Sequence, residues 1–328
     1  MPGEQSLPGI LPVYMKNILF LTSSHMPKEA LAACGEACIR LRTHGVEADV
    51  KPYAPDLAWD AHMQDTLMLC DLPDAVKELS GRGYAVIALQ HEGNAQEKFP
   101  GAPYVFAEPE EVDFDSYVKA WQRLRGLPWD ILETARLKLR ETTPEDLDAL
   151  YEIYAMPGMT DYMEGLFADP QDERRYLTDY IRNVYGLMGF GVWTVLEKET
   201  GKVIGRCGFS VRNGFAHIEL GFFIGTKWQR RGYAQEACRA VMTYGRDVLG
   251  FETVQALVKE GNDVSRHILE RLGFTEKETV NAEEDIYGKH YPQADAEGMH
   301  RPAVSPARKG RFVLYLKQLQ TDVSGRLP

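Results

Sequence analysis

Residues 218–234 read IELGFFIGTKWQRRGYA and decide the fold of the C-terminal half of this chain. The apolar run at 218–224 predicts a strand, and a helix is predicted to begin at Ala234. The basic turn between them contains Gly232, whose missing side chain lets another group approach the backbone closely. Unpaired backbone N–H groups at such a turn, reinforced by the helix dipole, form a site for phosphate. The pattern therefore predicts a diphosphate site.

The segment Gln229-Arg230-Arg231-Gly232-Tyr233-Ala234 resembles the acetyl-CoA-binding motif, Q/R-x-x-G-x-G/A, of the GNAT superfamily of N-acetyltransferases. Two further segments, Asn262-Asp263-Val264-Ser265 and Leu272-Gly273-Phe274, resemble the next motif of that family at the expected distance. The predicted element order over residues 136–317 also resembles the GNAT fold. The pattern is most similar to the branch that includes the ribosomal-protein alanine N-acetyltransferases. Taken alone, the hexapeptide would be a weak signal, and its alternatives are a Rossmann-like turn or a chance loop.

The resemblance implies an N-acetyltransferase that uses acetyl-CoA as co-substrate. The implied acceptor is a primary amine, either a protein N-terminus or a small molecule. In the family, the strand before the turn separates from its neighbour and frees backbone N–H groups for the cofactor. The residues implied to hold acetyl-CoA are Phe222, Phe223, Ile224, Gln229, Arg230, Arg231, Gly232, Tyr233, Ala234 and Asn262.

Two residues are candidates for proton transfer. Glu219 lies on the strand face opposite Ile218 and Leu220, and it is the candidate general base. The alternative is an exposed glutamate on a half-buried strand. Many members of the family place a general-acid tyrosine where this chain has Leu269. The alanine N-acetyltransferase branch that this chain resembles often has serine at the position of Ser265, so the resemblance implies Ser265 as the candidate acid. The alternative for Ser265 is a first-turn helix residue that makes local hydrogen bonds.

The absence of the tyrosine also keeps open a second function, that of a non-catalytic CoA-binding sensor or regulatory protein. Asn262 is open to two interpretations in the same way, because asparagine before a helix is an ordinary N-cap. The acceptor is expected to contact residues 156–169, which join the first two helices of this half. A proline-rich insert at about 280–310 is predicted to be a loop that could cover the cleft, with Tyr287, His290, Tyr291 and His300. No metal site is predicted.

The N-terminal half is predicted to be a separate domain. Strands alternate with helices, which indicates a parallel sheet with helices on its faces. The predicted organisation is a Rossmann-like three-layer α/β domain of unknown role at 1–130, followed by a GNAT-type α+β domain with a mixed sheet at 134–320.

The N-terminal pattern also resembles response-regulator receivers and haloacid-dehalogenase-like domains, but it lacks the Asp-x-Asp nucleophile motif of the latter. A sensory or structural role is therefore expected. Polar segments fall at the carboxyl ends of the predicted strands, where open α/β sheets bind ligands. These segments are Thr22-Ser23-Ser24, Cys70-Asp71 and His91-Glu92-Gly93-Asn94.

Composition limits the classes of partner. The length of 328 residues favours two domains, and the net charge of −11 disfavours binding to nucleic acid or anionic membranes. The same charge would attract cationic amines, although it also serves solubility.

The apolar stretch 18–21 is too short for a signal peptide or membrane span, so a cytoplasmic protein is expected. Five cysteines without paired CxxC spacing argue against a disulfide framework and a zinc site.

Overall fold

The structure, a computed structural model, describes residues 15–55, 61–284 and 309–319. The chain divides into two compact units between Trp129 and Asp130. Within the described ranges, no helix is long and apolar enough to cross a membrane. Tyr287, His290, Tyr291 and His300, the residues predicted to cover the cleft, lie outside the described residues.

The first unit is built on a five-stranded parallel sheet in the order β2-β1-β3-β4-β5. In chain order its elements are β1 (Asn17–Thr22), α1 (Lys28–Arg42), β2 (Glu47–Pro52), β3 (Thr66–Cys70), α2 (Pro73–Gly81), β4 (Ala85–Leu89), β5 (Val105–Phe106) and α3 (Phe114–Leu124).

Both faces of this sheet are covered, because the central strands β3 and β4 consist of buried residues throughout. One face packs with α1 and α3, which contribute Cys38, Tyr117 and Trp121 to the core. The other face packs with α2 through Val76 and Leu79. This arrangement of helix, sheet and helix confirms the predicted Rossmann-like three-layer fold.

The second unit is built on an eight-stranded sheet in the order β12-β13-β11-β10-β9-β8-β7-β6. Only the β10–β11 pair is parallel among the strand pairs described, so the sheet is mixed, as predicted for a GNAT-type fold. In chain order its elements are β6 (Asp130–Glu133), β7 (Leu137–Arg140), α4 (Leu147–Tyr154), α5 (Pro170–Tyr180), α6 (Gly186–Met188), β8 (Val192–Glu197), β9 (Val203–Ser210), β10 (Ile218–Ile224), α7 (Tyr233–Asp247), β11 (Thr253–Lys259), α8 (Asp263–Arg271), β12 (Thr275–Glu283) and β13 (Lys309–Gln318).

The two edge strands of this sheet differ from the prediction. The first, β6, begins at Asp130 and was not predicted, because Ile131 is its one buried side chain and the strand shows little alternation. The second, β12, continues to Glu283, whereas a loop was predicted from about residue 280. Its last residues pair with β13, from Val280 opposite Phe312 to Glu283 opposite Lys309. This long-range pairing outweighs a charged local sequence that has no strand pattern of its own.

Candidate active site

The parallel strands β10 and β11 separate after a short shared stretch. They pair at Ile218–Val254 and Glu219–Gln255, and the described residues show no further pairing between them. Beyond this point β10 remains paired with β9 up to Ile224, while β11 remains paired with β13 up to Lys259. The two strands therefore diverge, and one edge of β10 is left open from Leu220 to Ile224.

The register with β9 determines which backbone groups of β10 face this opening. The N–H of Gly225 donates to the carbonyl oxygen of Ile204 at 2.8 Å. Hydrogen-bonded and non-hydrogen-bonded pairs alternate in an antiparallel ladder, so the N–H of Phe223 also points to β9. The N–H groups of Phe222 and Ile224 point to the opening. The resemblance implied that Phe223 also offers its N–H group to acetyl-CoA, and this expectation is wrong because that group points to β9. The side chain of Phe223 packs with the cluster around Met156 and Met159.

The turn that follows β10 has the backbone conformation of an anion site. Gly232, the N-cap of α7, has φ +81°, and Arg230 has φ +61°, the one positive φ of a non-glycine residue in the described ranges. The first backbone bond of the helix runs from the N–H of Glu236 to Gly232. The N–H groups between these two residues are therefore free of helical partners and point out of the helix N-terminus. A diphosphate fits this arrangement, because these groups and the helix dipole all favour negative charge.

A side chain from the start of the unit supports the turn. Arg136 Nη1 donates to the carbonyl oxygen of Arg231 at 2.9 Å, and Arg136 Nε donates to Glu236 Oε2 at 2.7 Å. Thr134 donates to the other oxygen of Glu236 at 2.6 Å. Although partial burial acts in the opposite direction, these hydrogen bonds hold the pKa of Glu236 below its usual range. Glu236 thus stays charged and anchors Arg136 beneath the turn.

Two side chains of the motif face the protein rather than the opening. Gln229 Nε2 donates to the carbonyl oxygen of Ile224 at 2.8 Å and so closes the end of β10. The hydroxyl of Tyr233 donates to Glu197 Oε1 on β8 at 2.6 Å, and its ring lies 4.5 Å from the guanidinium of Arg136. The side chains of Gln229 and Tyr233 therefore shape the turn. The side chains of Arg230 and Arg231 are exposed beside it, and Ala234 is half-buried.

Glu219 stands where β10 and β11 diverge, and it is buried, with 6% of its surface exposed. The alternative of an exposed surface glutamate is therefore wrong. Burial raises the pKa of Glu219 to about 7, while the guanidinium of Arg212, 3.7 Å away, acts to lower it. Oε2 of Glu219 has no hydrogen-bond partner among the described residues. A carboxylate with a pKa near neutrality and a free oxygen has the properties of a general base.

The end of β11 carries the second predicted motif. Asn262 is the N-cap of α8, and its Oδ1 accepts from the N–H of Ser265 at 3.1 Å. The amide Nδ2 of Asn262 takes no part in this cap, so a cap and a ligand role are compatible. Ser265 is half-buried. Leu269 is fully buried, so the position of the family's tyrosine is occupied by a core residue.

The loop between α4 and α5, residues 155–169, reaches the ends of both diverging strands. Met159 Sδ lies 4.0 Å from Gln229 Nε2, after β10. The ring of Tyr162 lies 3.5 Å from where a Cβ on Gly261 would stand, after β11. Asp169, the last residue of this loop, caps α5 by accepting from the N–H of Gln171 at 2.8 Å. The loop is therefore placed beside the opening, as an acceptor-contacting segment requires.

The polar segments of the first unit also come together. The Oδ1 and Oδ2 atoms of Asp71 accept from the N–H and hydroxyl of Ser23, both at 2.7 Å. His91 Nε2 is 3.3 Å from Asp71 Oδ2, and Asn94 Nδ2 donates to the carbonyl oxygen of Asp71 at 3.2 Å. The sequence correctly placed these residues at one edge of the sheet. The hydrogen-bonding capacity of the buried Asp71 carboxylate is filled by residues of the neighbouring loops. These contacts hold the three loops together.

Several residues of the site were missed by sequence reasoning. Arg136 and Thr134 lie about a hundred positions before the turn that they support, and no local pattern marks them. Glu236 carried a weak signal, since acidic residues in a first helical turn are favoured by the helix dipole. Arg212 and Gln255 join Glu219 only through the packing of neighbouring strands.

Comparisons with known proteins agree with this geometry. The model of the acetyltransferase (GNAT) domain matches residues 136–275. The uncharacterised N-acetyltransferase p20 of Bacillus licheniformis is 31% identical over 167 residues, covering 49% of this chain and 90% of that protein. The uncharacterised protein YkkB of Bacillus subtilis (strain 168) is 30% identical over 153 residues, covering 45% of this chain and 87% of that protein. This chain belongs to the GNAT acetyltransferase family.

Relatives with a named substrate match a smaller part of this GNAT protein. The [ribosomal protein uS5]-alanine N-acetyltransferase of Escherichia coli (strain K12) is 34% identical over 110 residues, covering 33% of this chain and 51% of that protein. Among solved structures, the acetyltransferase from Agrobacterium tumefaciens str. C58 is 24% identical, with a TM-score of 0.42. That alignment covers 57% of this chain and 93% of the other. The branch named in the sequence analysis is among the relatives of this GNAT protein, because the uS5-alanine N-acetyltransferase is one of them.

Proposed function

We propose that this acetyltransferase transfers the acetyl group of acetyl-CoA to a primary amine, on a protein N-terminus or a small molecule. The observation that carries the proposal is the divergence of β10 and β11 beside the buried Glu219. This opening lies between the exposed turn of α7 and the N-terminus of α8. It thereby joins a phosphate site, free backbone N–H groups and a base in one unit of the fold.

Different residues of the opening bind different parts of acetyl-CoA. The N–H groups at the start of α7 hold the diphosphate, and the exposed Arg230 adds positive charge there. The N–H groups of Phe222 and Ile224 donate to the pantetheine arm and to the thioester oxygen. The amide of Asn262 donates to the same arm from the opposite side, while its oxygen continues to cap α8.

In the reaction, the amine nitrogen bonds to the thioester carbon, the carbon–sulfur bond breaks, and the thiolate takes up a proton. Glu219 accepts the proton that the amine loses, directly or through a water molecule. Ser265 donates to the thiolate from the first turn of α8. Residues 155–169 orient the amine, since this loop lies at the ends of both strands. The net charge of −11 favours the approach of cationic amines to the protein.

A thiol-release assay tests the proposal. The protein is incubated with acetyl-CoA and, separately, with peptides bearing a free N-terminus, polyamines and aminoglycosides. Release of free thiol above hydrolysis, together with an acetylated product by mass spectrometry, is the expected result for at least one class. The matched control for each peptide is the same sequence with an acetylated N-terminus. Acetyl-CoA binding without amine-dependent thiol release across the panel would instead support the CoA-binding regulatory function.

A further inference from the structure

Arg212 lies beside the candidate base, although nothing in the sequence singles it out. It follows the end of β9, and its Nη1 atom is 3.7 Å from Glu219 Oε1. The two side chains are 5% and 8% exposed. Opposite charges at this distance act on each other strongly when little water lies between them, so the guanidinium favours the charged form of Glu219.

The guanidinium is held in place by groups other than the carboxylate. Arg212 Nη2 donates to the carbonyl oxygen of Glu283 at 2.5 Å, at the end of β12. The guanidinium carbon also lies 5.4 Å from the centre of the Phe312 ring on β13. Nη1 makes no hydrogen bond with any described residue. Arg212 is thus fixed by the far edge of the sheet, with Nη1 on the side of Glu219.

Among the described neighbours of Glu219, no other charged side chain counteracts the effect of burial. The residues that pair with Glu219 on the flanking strands, Ser210 and Gln255, are both uncharged. His217 precedes Glu219 by two residues, but burial and Arg212 are the influences that act on the pKa of Glu219. The balance between protonated and charged Glu219 therefore depends on one guanidinium working against burial.

We infer that Arg212 is a positioning residue that keeps Glu219 in the charged form needed to accept a proton from the acceptor amine. The inference rests on the proposed function, in which Glu219 is the base. Burial alone favours a protonated carboxyl, which cannot accept a further proton. A bidentate pair at hydrogen-bond distance would occupy both oxygens. At 3.7 Å from Oε1, Arg212 favours the carboxylate and leaves the buried Oε2 without a hydrogen-bond partner.

The test compares Arg212→Met, which removes the charge and keeps the apolar stem, with Arg212→Lys, which retains a charge. Titration of the Glu219 carboxyl is followed by 13C NMR in the full chain, with its resonance identified by its absence in Glu219→Gln. An adjacent opposite charge lowers a carboxyl pKa by about 1–3 units, so the titration in Arg212→Met should move upward by about that amount. Acetyl transfer should fall about five- to five-hundredfold at pH 7 and recover as the pH rises. Arg212→Lys should restore most of both.

Arg311→Met is the matched control, because Arg311 is an exposed arginine of β13 that pairs with Glu260 at 3.4 Å. It should shift neither the titration nor the pH–rate profile. If Arg212→Met does not fold, Arg212→Gln tests the same point, since glutamine can still donate to the carbonyl of Glu283. An unmoved Glu219 titration in either folded variant overturns the inference. A moved titration with an unmoved pH–rate profile means that Glu219 is not the base, which also overturns the inference but leaves acetyl transfer and the coupling of the two residues intact. Absence of acetyl transfer by the wild type across the amine panel would instead overturn the proposed function.

Discussion

Arg136 and Arg231 are joined by a 2.9 Å hydrogen bond from the Nη1 of the first to the carbonyl oxygen of the second. The connection between β6 and β7 thereby fixes the turn that begins α7. The same Arg136 binds the carboxylate of Glu236 and stacks on the ring of Tyr233. Because these contacts hold the turn in place, its N–H groups have a fixed geometry before a ligand binds. Less conformational entropy is therefore lost on binding.

We expect Arg136→Met to weaken acetyl-CoA binding, because the turn loses a charge-assisted support. A loss of about 1–2 kcal/mol corresponds to a Kd about five- to thirtyfold higher, with kcat nearly unchanged. Isothermal titration calorimetry gives the affinity. Lys138→Met is the control, since it removes an exposed ion pair with Asp130 on the neighbouring strand. Equal affinities in Arg136→Met and the control would show that the turn needs no such support.

Gly232→Asp should abolish acetyl-CoA binding, because it places a carboxylate at the diphosphate site. Gly232→Asn is the matched control, since asparagine tolerates the φ of +81° and has the same shape without the charge. The space at this position is sufficient, because the nearest atom to an added Cβ is Arg136 Nη2 at 3.5 Å. The difference in affinity between the two variants measures electrostatic repulsion. If both folded variants bind as the wild type does, the diphosphate lies elsewhere.

Glu219→Gln should lower kcat by about a hundredfold to ten-thousandfold, the usual contribution of a general base. Acetyl-CoA affinity should stay nearly constant, since the carboxylate serves the amine. Burial raises the pKa of Glu219 to about 7, so the carboxylate form, and with it kcat, should rise with pH through about 7. That limb should disappear in Glu219→Gln. A loss below about threefold, on a confirmed acceptor, would mean that positioning rather than a protein base carries the catalysis.

Asn262→Asp and Asn262→Ala should separate the two roles of Asn262. Aspartate keeps the oxygen that caps α8 but removes the amide donor, so acetyl-CoA should bind more weakly while the melting temperature is retained. Alanine also removes the cap and should lower stability by about 1 kcal/mol. Calorimetry and thermal unfolding report the two effects. Unchanged affinity in Asn262→Asp would reduce Asn262 to a helix cap.

Ser265→Ala should lower turnover less than Glu219→Gln, because water can also protonate the thiolate.

A fragment of residues 130–328 should fold and bind acetyl-CoA, because it contains the whole eight-stranded sheet. A fragment of residues 134–328 lacks β6 and the buried Ile131, so its midpoint of urea unfolding should be lower. Circular dichroism and calorimetry compare the two fragments. A folded 130–328 fragment without acetyl-CoA affinity would contradict the assignment of the cofactor site to this unit alone.

The sequence by itself determined the features that depend on neighbouring residues. The apolar run before Gly232 and the helix after it predicted the phosphate turn, because turn conformation and helix initiation are local properties. Alternating strands and helices likewise predicted the three-layer first unit. The same local reasoning placed Glu219 on a strand face and Asn262 at a helix cap, but it left two functions open for each residue.

The tertiary structure decided what depends on contacts between distant segments. The register with β9 turned the N–H of Phe223 away from the opening, although the sequence treats it like that of Phe222. Burial of Glu219 beside Arg212 is a product of strand packing, and pairing with β13 made a strand of the charged residues up to Glu283. Desolvation and backbone pairing depend on surroundings that the chain brings together only on folding, so no local pattern can encode them.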